Sequence, residues 1–389
     1  MCMEIDTKHL CNVEQFFIVS NTSPDQLSFV SRSVMEKFKY SFLFCFIVFF
    51  RVNGGAAQAS KLFVFGDSYV VTRSVDRGAV CWQEPYGITY PGRPSGRYSD
   101  GLVLTDYVAM FLGLREPPIH YEAMNSTDLD KIQTGMSFAY GGTGVFGNSS
   151  GTSNLGDQVD LFKQCLDDGV YSTADLQGSV ALVSITGADY SALLNVSDPK
   201  NPQALLSYIE ACVNQLMQDV TRLHDLGVET ILVTSVPPLG SLPSLTHSLG
   251  YQNYSATANS WASFHNFWLQ QAINEFNAEN GDGDGATPFI YMDLFNAYMF
   301  ALQDSATIYP GNVRFESPIF KPCCIGMGED STCGSIDAKG NKLYSVCDDP
   351  TSVFFWDSEH LTQSGWRAIL TTLQSTTDSL LRCLSKQKA

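Results

Sequence analysis

Four short runs of Val, Ile, Leu and Phe have the length and composition of buried β-strands. They are Leu62–Phe65, Val180–Ile185, Thr230–Thr234 and Phe289–Met292. Elsewhere apolar residues recur at intervals of three and four, which predicts amphipathic helices. These cover Pro202–Leu226, Ala256–Asn277 and Ser364–Leu384. Strand and helix in alternation indicate an α/β fold, in which helices cover both faces of a mainly parallel sheet and ligands bind at the carboxyl ends of the strands.

The amino-terminal part of the chain differs from the rest. Its long apolar run, Tyr40–Phe50, follows Lys37 and Lys39 and precedes a stretch of small residues. The run is shorter than the ~20 residues that span a bilayer as a helix, and Arg51 ends it, so a signal peptide is favoured over a membrane anchor. We expect residues 35–59 to be this signal peptide, 1–34 an upstream extension, and 60–389 one domain of a secreted, extracellular protein.

Charge narrows the range of partners. The 389 residues include 40 acidic and 23 basic side chains, which gives a net charge of −17 and a pI near 4.6. A phosphate backbone requires a basic surface, so nucleic acid is not expected as a partner.

Cysteines and glycosylation sequons agree with export. Eight of the eleven cysteines follow residue 59, an even number that permits several disulfides in an oxidising compartment. The group between Cys323 and Cys347 has neither CxxC pairs nor nearby histidines, which favours a disulfide-stapled loop over a zinc site. Sequons for N-glycosylation occur at Asn125, Asn148, Asn195 and Asn253.

Two distant segments carry candidate catalytic side chains. The first predicted strand runs into Gly66, Asp67 and Ser68, where an open α/β sheet would display a nucleophile. Near the other end, Asp357 precedes His360 by three residues, so its carboxylate can reach Nδ1 and leave Nε2 to accept a serine proton. Each feature alone is weak, since a Gly-Asp-Ser triplet is commonly a turn and an Asp/His pair a surface hydrogen bond.

Together with further ordered motifs, these segments resemble the plant GDSL esterase/lipases of the SGNH hydrolase superfamily. The first block is Phe63–Ser68, and the stretch from Pro85 to Asp106 (PYGITYPGRPSGRYSDGLVLTD) is similar to the family consensus. The second, third and last blocks correspond to Gly135–Gly144 (GMSFAYGGTG), Val180–Tyr190 (VALVSITGADY) and the segment from Cys323 to His360. The resemblance spans nearly all of residues 60–389.

The resemblance implies a flavodoxin-like three-layer sandwich and the roles of several residues. Ser68 would be the nucleophile, His360 the general base and then acid, and Asp357 the orienting carboxylate. The oxyanion would be held by the Ser68 backbone N–H and by that of Gly142, with Gly141 as the adjacent alternative. No cofactor and no metal are implied, and the glycine-rich stretch 141–147 lacks the lysine of a nucleotide-binding loop.

The sequence departs from the family pattern at two places. Ala188 occupies the position of the asparagine that completes the oxyanion hole, and a methyl group cannot donate a hydrogen bond. After Ser68 the usual Asp-x-Gly-Asn element is replaced by Tyr69–Ser74. We therefore predict a slow esterase or lipase that acts on acyl or acetyl esters, of small molecules or polysaccharides. The alternative is a degenerate relative that serves as an extracellular binding or structural protein.

Overall fold

A parallel sheet of six strands forms the centre of the structure, a computed structural model that describes residues 61–124, 131–146, 153–190, 202–281, 287–303, 309, 313–328 and 330–376. The strands are β1 (Leu62–Gly66), β2 (Ile119–His120), β3 (Gly135–Ser137), β4 (Val180–Ser184), β5 (Thr230–Thr234) and β6 (Phe289–Met292). Their order across the sheet is β2-β3-β1-β4-β5-β6. The expected α/β architecture with a parallel sheet is confirmed.

The four strands predicted from apolar runs are all present. β5 and β6 match the prediction, β1 extends one residue further to Gly66, and β4 ends one residue earlier at Ser184. The sequence pattern missed β2 and β3, because segments of two and three residues are too short to show periodicity.

Eight α-helices lie among the described residues. They are α1 (Leu104–Phe111), α2 (Leu155–Asp167), α3 (Thr173–Leu176), α4 (Pro202–Asp225), α5 (Pro243–Thr246), α6 (Ala256–Asn280), α7 (Leu294–Gln303) and α8 (Gln363–Thr376). The three long predicted helices correspond to α4, α6 and α8, and residues beyond 376 lie outside the described part of the chain. No described helix combines the length and apolarity needed to cross a bilayer.

Burial of both sheet faces holds these layers together. Every residue of β1, β4 and β5 is buried. On one face Phe63 and Phe65 of β1 contact Phe162 of α2, with ring centroids 4.8 and 5.6 Å apart. Each fully buried Phe contributes roughly 1.5–3 kcal/mol to stability, so α2 is firmly fixed against the central strand.

The sheet order determines where a ligand can approach. β1 pairs with β3 on one side and with β4 on the other, so the chain changes direction across the sheet at β1. The carboxyl ends of β1 and β4 border the crevice that this arrangement opens. All described residues belong to one compact unit, Ala56–Ala389. The expected signal peptide over 35–59 and the extension over 1–34 lie outside the described residues.

Candidate active site

The chain turns sharply where β1 ends, and this turn carries Ser68. Gly66 has φ +125°, and a Cβ there would lie 1.9 Å from the carbonyl oxygen of Ser184 on β4, so no residue with a side chain fits. The Gln158 amide from α2 pairs with both backbone groups of Gly66: Oε1 accepts at 2.7 Å and Nε2 donates at 3.0 Å. These contacts fix the turn that carries Ser68, and the Ser68 side chain is half-buried.

Asp67 joins this turn to the loop that follows β4. Its Oδ2 accepts hydrogen bonds from the backbone N–H of Thr186 at 2.6 Å and from the Thr186 hydroxyl at 2.5 Å, while Oδ1 accepts from the N–H of Tyr69 at 3.1 Å. Burial raises the pKa of Asp67 to about 6, although the hydrogen bonds from Thr186 and Tyr69 oppose the rise. Asp67 therefore holds the two loops that border the crevice in one arrangement.

The fold brings the three candidate catalytic side chains into contact. Ser68 Oγ lies 2.9 Å from His360 Nε2, and His360 Nδ1 lies 2.9 Å from each carboxylate oxygen of Asp357. These are hydrogen-bond distances. With its Nδ1–H donating to the carboxylate, the imidazole presents Nε2 as an acceptor to the serine hydroxyl.

A tight loop positions Asp357 and His360. The Trp356 N–H donates to the His360 carbonyl at 2.7 Å. Within the loop, Asp357 Oδ1 accepts from the backbone N–H groups of Glu359 at 2.9 Å and of His360 at 2.8 Å. The Asp carboxylate thus organises its own turn and fixes the backbone that carries the imidazole.

The charges of the two residues stabilise one another. Burial by itself would lower the pKa of His360 and raise that of Asp357, since it disfavours both charged forms. Their attraction and hydrogen bond outweigh burial, so that the pKa of His360 lies above its usual 6.5 and that of Asp357 falls to about 2. Asp357 is therefore ionised at neutral pH, and His360 is a stronger base than a free imidazole.

Aromatic rings flank the imidazole. The Tyr98 ring stacks on His360 with centroids 5.1 Å apart and planes 25° from parallel, and the Tyr69 ring lies 5.9 Å away. The Tyr69 hydroxyl donates to the Glu359 carbonyl at 2.8 Å, which connects the residue after Ser68 to the loop that carries His360. Rotation of the imidazole away from Ser68 is restricted as a result.

Sequence reasoning missed Tyr86 as part of this site. Its hydroxyl donates to Asp357 Oδ2 at 2.7 Å, across 271 positions of sequence. Tyr86 lies in the Pro85–Asp106 stretch that carries the family resemblance, but nothing in that stretch indicates which of its side chains reaches a carboxylate.

A disulfide-stapled module contacts the segment that leads into Asp357. As predicted, the late cysteines form a stapled loop around the antiparallel pair β7 (Cys324–Gly326) and β8 (Tyr344–Val346). The Cys323–Cys347 bridge joins the residue before β7 to the residue after β8, and Cys324–Cys333 joins β7 to the segment between the two strands. The N–H groups of Cys323 and Cys324 donate to the carbonyls of Phe355 at 2.9 Å and Trp356 at 2.7 Å. Within the described ranges no group of three or more His, Cys, Asp or Glu side chains could hold a metal ion.

The candidate oxyanion positions lie on two loops near the same strand ends. Gly142, in the loop after β3, has φ +78°, and a Cβ on the adjacent Gly141 would lie 2.7 Å from the Tyr98 hydroxyl. Ala188 begins the short 3₁₀ turn Ala188–Tyr190 after β4 and is half-buried.

The two residues after Ala188 are already engaged. The carboxylate of Asp189 accepts from the backbone N–H groups of Val145 at 3.0 Å and Phe146 at 3.1 Å. The Tyr190 hydroxyl lies 2.7 Å from Nδ1 of the buried His265. These contacts connect the two loops to one another and to α6. The Asp189 carboxylate and the Tyr190 hydroxyl, which follow Ala188, therefore already have hydrogen-bond partners.

Two of the other histidines are buried, and one of the four sequons lies among the described residues. Burial lowers the pKa of His120 and of His265 to about 4, so both are neutral core residues at pH 7. Asn253 is exposed, as an acceptor for glycosylation must be. Asn125, Asn148 and Asn195 lie outside the described residues.

Comparison with known proteins agrees with the arrangement of motifs. The GDSL-like Lipase/Acylhydrolase family matches residues 62–371. Three GDSL esterase/lipases of Arabidopsis thaliana are 40%, 38% and 37% identical to this chain, over 88%, 85% and 87% of its length and 97%, 95% and 98% of theirs.

Proposed function

The chain belongs to the GDSL-like lipase/acylhydrolase family, and on that premise we propose that it hydrolyses carboxylic esters through Ser68, His360 and Asp357. The reaction class, ester hydrolysis, follows from membership of the family. The roles of the three residues are supported by one observation above all, the continuous contact from Ser68 Oγ through His360 to Asp357 at 2.9 Å per step.

The reaction proceeds in two halves. As Ser68 Oγ attacks the ester carbonyl carbon, its proton passes to His360 Nε2, and the imidazolium is stabilised by the ionised Asp357. The tetrahedral intermediate expels the alcohol, which takes the proton from Nε2, and an acyl-serine remains. Water then attacks the acyl group with His360 again as base, and the acid product and free Ser68 are released.

The oxyanion hole is incomplete in this proposal. The backbone N–H groups of Ser68 and Gly142 are its donors, and Ala188 stands where a side-chain donor would complete it. Loss of one such donor costs about 2.7–4 kcal/mol, or roughly 10²–10³ in kcat. Total enzymic rate enhancement is commonly ~8 kcal/mol or more, so the enzyme is slowed but remains active.

The proposed substrates are acyl or acetyl esters carried by small molecules or polysaccharides, and the proposed location is the cell exterior. Secretion is supported by the two disulfides, which persist in oxidising compartments, and by the apolar run preceding residue 60. It is further supported by the exposed sequon at Asn253.

One observation favours a second function, that of a binding protein which retains the fold without turnover. It is the alanine at position 188. Hydrolysis of p-nitrophenyl acetate by the purified protein and by Ser68→Ala separates the two possibilities. We expect the variant to lose at least 10³-fold in kcat, and equal rates in the two proteins would refute the esterase.

A further inference from the structure

The Tyr86 hydroxyl is directed at the carboxylate of the triad. It donates to Asp357 Oδ2 at 2.7 Å, and both side chains are buried, with exposures of 3% for Tyr86 and 5% for Asp357. Oδ1 accepts from two backbone N–H groups of its own turn, and the imidazole Nδ1 lies 2.9 Å from both oxygens. The phenol donates to Oδ2. Among the described residues, Tyr86 is the one side chain besides His360 that donates to this carboxylate.

The surrounding structure fixes the phenol in place. The ring packs edge-on against Trp356, with centroids 5.8 Å apart, in a buried cluster that includes both halves of the Cys324–Cys333 bridge. Its backbone N–H donates to the Gln83 carbonyl at 3.1 Å. The phenol is therefore preorganised, and little side-chain freedom is lost when it donates.

We propose that Tyr86 is a positioning residue of the esterase, which acts through Asp357. Its hydrogen bond holds the Asp357 carboxylate in place beside His360 and reduces the negative charge on the carboxylate oxygens. The inference rests on the proposed triad and adds a fourth member to it. With less charge on Asp357, the imidazolium is stabilised less, and His360 becomes a neutral base at a lower pH than it would beside an unshared carboxylate.

The phenol remains a donor over the working range of pH. Burial and the neighbouring Asp357 raise the pKa of Tyr86 well above 10, so its O–H stays protonated wherever the triad is active. The other titratable groups that face the imidazole are Asp67, Glu359, Tyr69 and Tyr98. Replacement of Tyr86 leaves these four side chains unchanged.

The test compares Tyr86→Phe with Tyr171→Phe. Tyr171 is also buried and its hydroxyl donates at 3.2 Å, but to the backbone carbonyl of Ile132 instead of a carboxylate. For Tyr86→Phe we expect kcat to fall about tenfold with KM within twofold, and the acidic limb of kcat/KM to move up by about half a pH unit. Tyr171→Phe should leave kcat and the acidic limb of kcat/KM unchanged.

Two further measurements separate positioning from packing. In an Asp357→Asn background, Tyr86→Phe should cost less than twofold, because the phenol acts through the carboxylate. Replacement of Tyr86 by a fluorotyrosine keeps the ring in place and strengthens the donor, so the acidic limb should move in the opposite direction, to lower pH. This second variant also serves if Tyr86→Phe folds poorly.

The imidazole titration, followed by NMR in the resting enzyme, reports the pKa of His360 without turnover. An upward shift in Tyr86→Phe supports the proposal. Unshifted titration and an unmoved acidic limb would overturn it, whatever happens to kcat. If Ser68→Ala retains full activity, the proposed function itself fails, which is a different result from an inactive Ser68→Ala combined with a silent Tyr86→Phe.

Discussion

Replacement of Ala188 by Asn should restore the missing donor and accelerate the enzyme. The two residues that follow Ala188 are engaged elsewhere, because the Asp189 carboxylate accepts from two backbone N–H groups and the Tyr190 hydroxyl contacts His265. An oxyanion donor contributes about 2.7–4 kcal/mol, and immobilising the new side chain costs about 0.5–1.5 kcal/mol. The net gain of about 1.2–3.5 kcal/mol corresponds to a roughly 8- to 400-fold rise in kcat.

The assay is steady-state hydrolysis of p-nitrophenyl acetate, with thermal unfolding to verify the fold. Ala188→Asp is the matched control, since it has the size of Asn but places a negative acceptor near the developing oxyanion, and it should slow the reaction further. The gain from Ala188→Asn should disappear when Ser68 is also replaced by Ala. A stable Ala188→Asn enzyme with the parental kcat would refute the view that this position faces the oxyanion.

One pH profile and two sets of substitutions test the rest of the site. The pKa of His360 is raised, and its imidazole must be neutral to act as a base, so kcat/KM should fall with decreasing pH through a midpoint above 6.5. A midpoint below 6.5 would contradict the pairing of His360 with Asp357. Asp67→Asn replaces an acceptor oxygen by an NH₂ group facing a donor, and should lower the free energy of urea unfolding by about 1–3 kcal/mol. Joint replacement of Cys323 and Cys347 by Ser should lower the free energy of unfolding by about 3 kcal/mol and reduce kcat. The control Cys165→Ala, which removes a buried unbridged thiol, should leave kcat unchanged. Parental kcat in the double variant would show that the bridge does not support the triad.

The sequence by itself determined the class of fold, and it indicated Ser68, Asp357 and His360 as the candidates for the reacting residues. Buried parallel strands require continuous apolar runs, so β1, β4, β5 and β6 were visible as such, and α4 was visible from its spacing. The sharp turn that carries Ser68 needs Gly66, and an Asp three residues before His360 can form a local hydrogen bond to it. These requirements are local in sequence, and the residue types record them directly.

Tertiary structure decided everything that joins distant segments. The 2.9 Å contact between Ser68 and His360 spans 292 positions, and Tyr86 reaches Asp357 across 271. Likewise, only the fold shows that the Asp189 carboxylate and the Tyr190 hydroxyl are engaged by groups on other segments. Hydrogen bonds of this kind depend on which loop ends the sheet brings together, and that is fixed by packing of the whole core, not by any pattern along the chain.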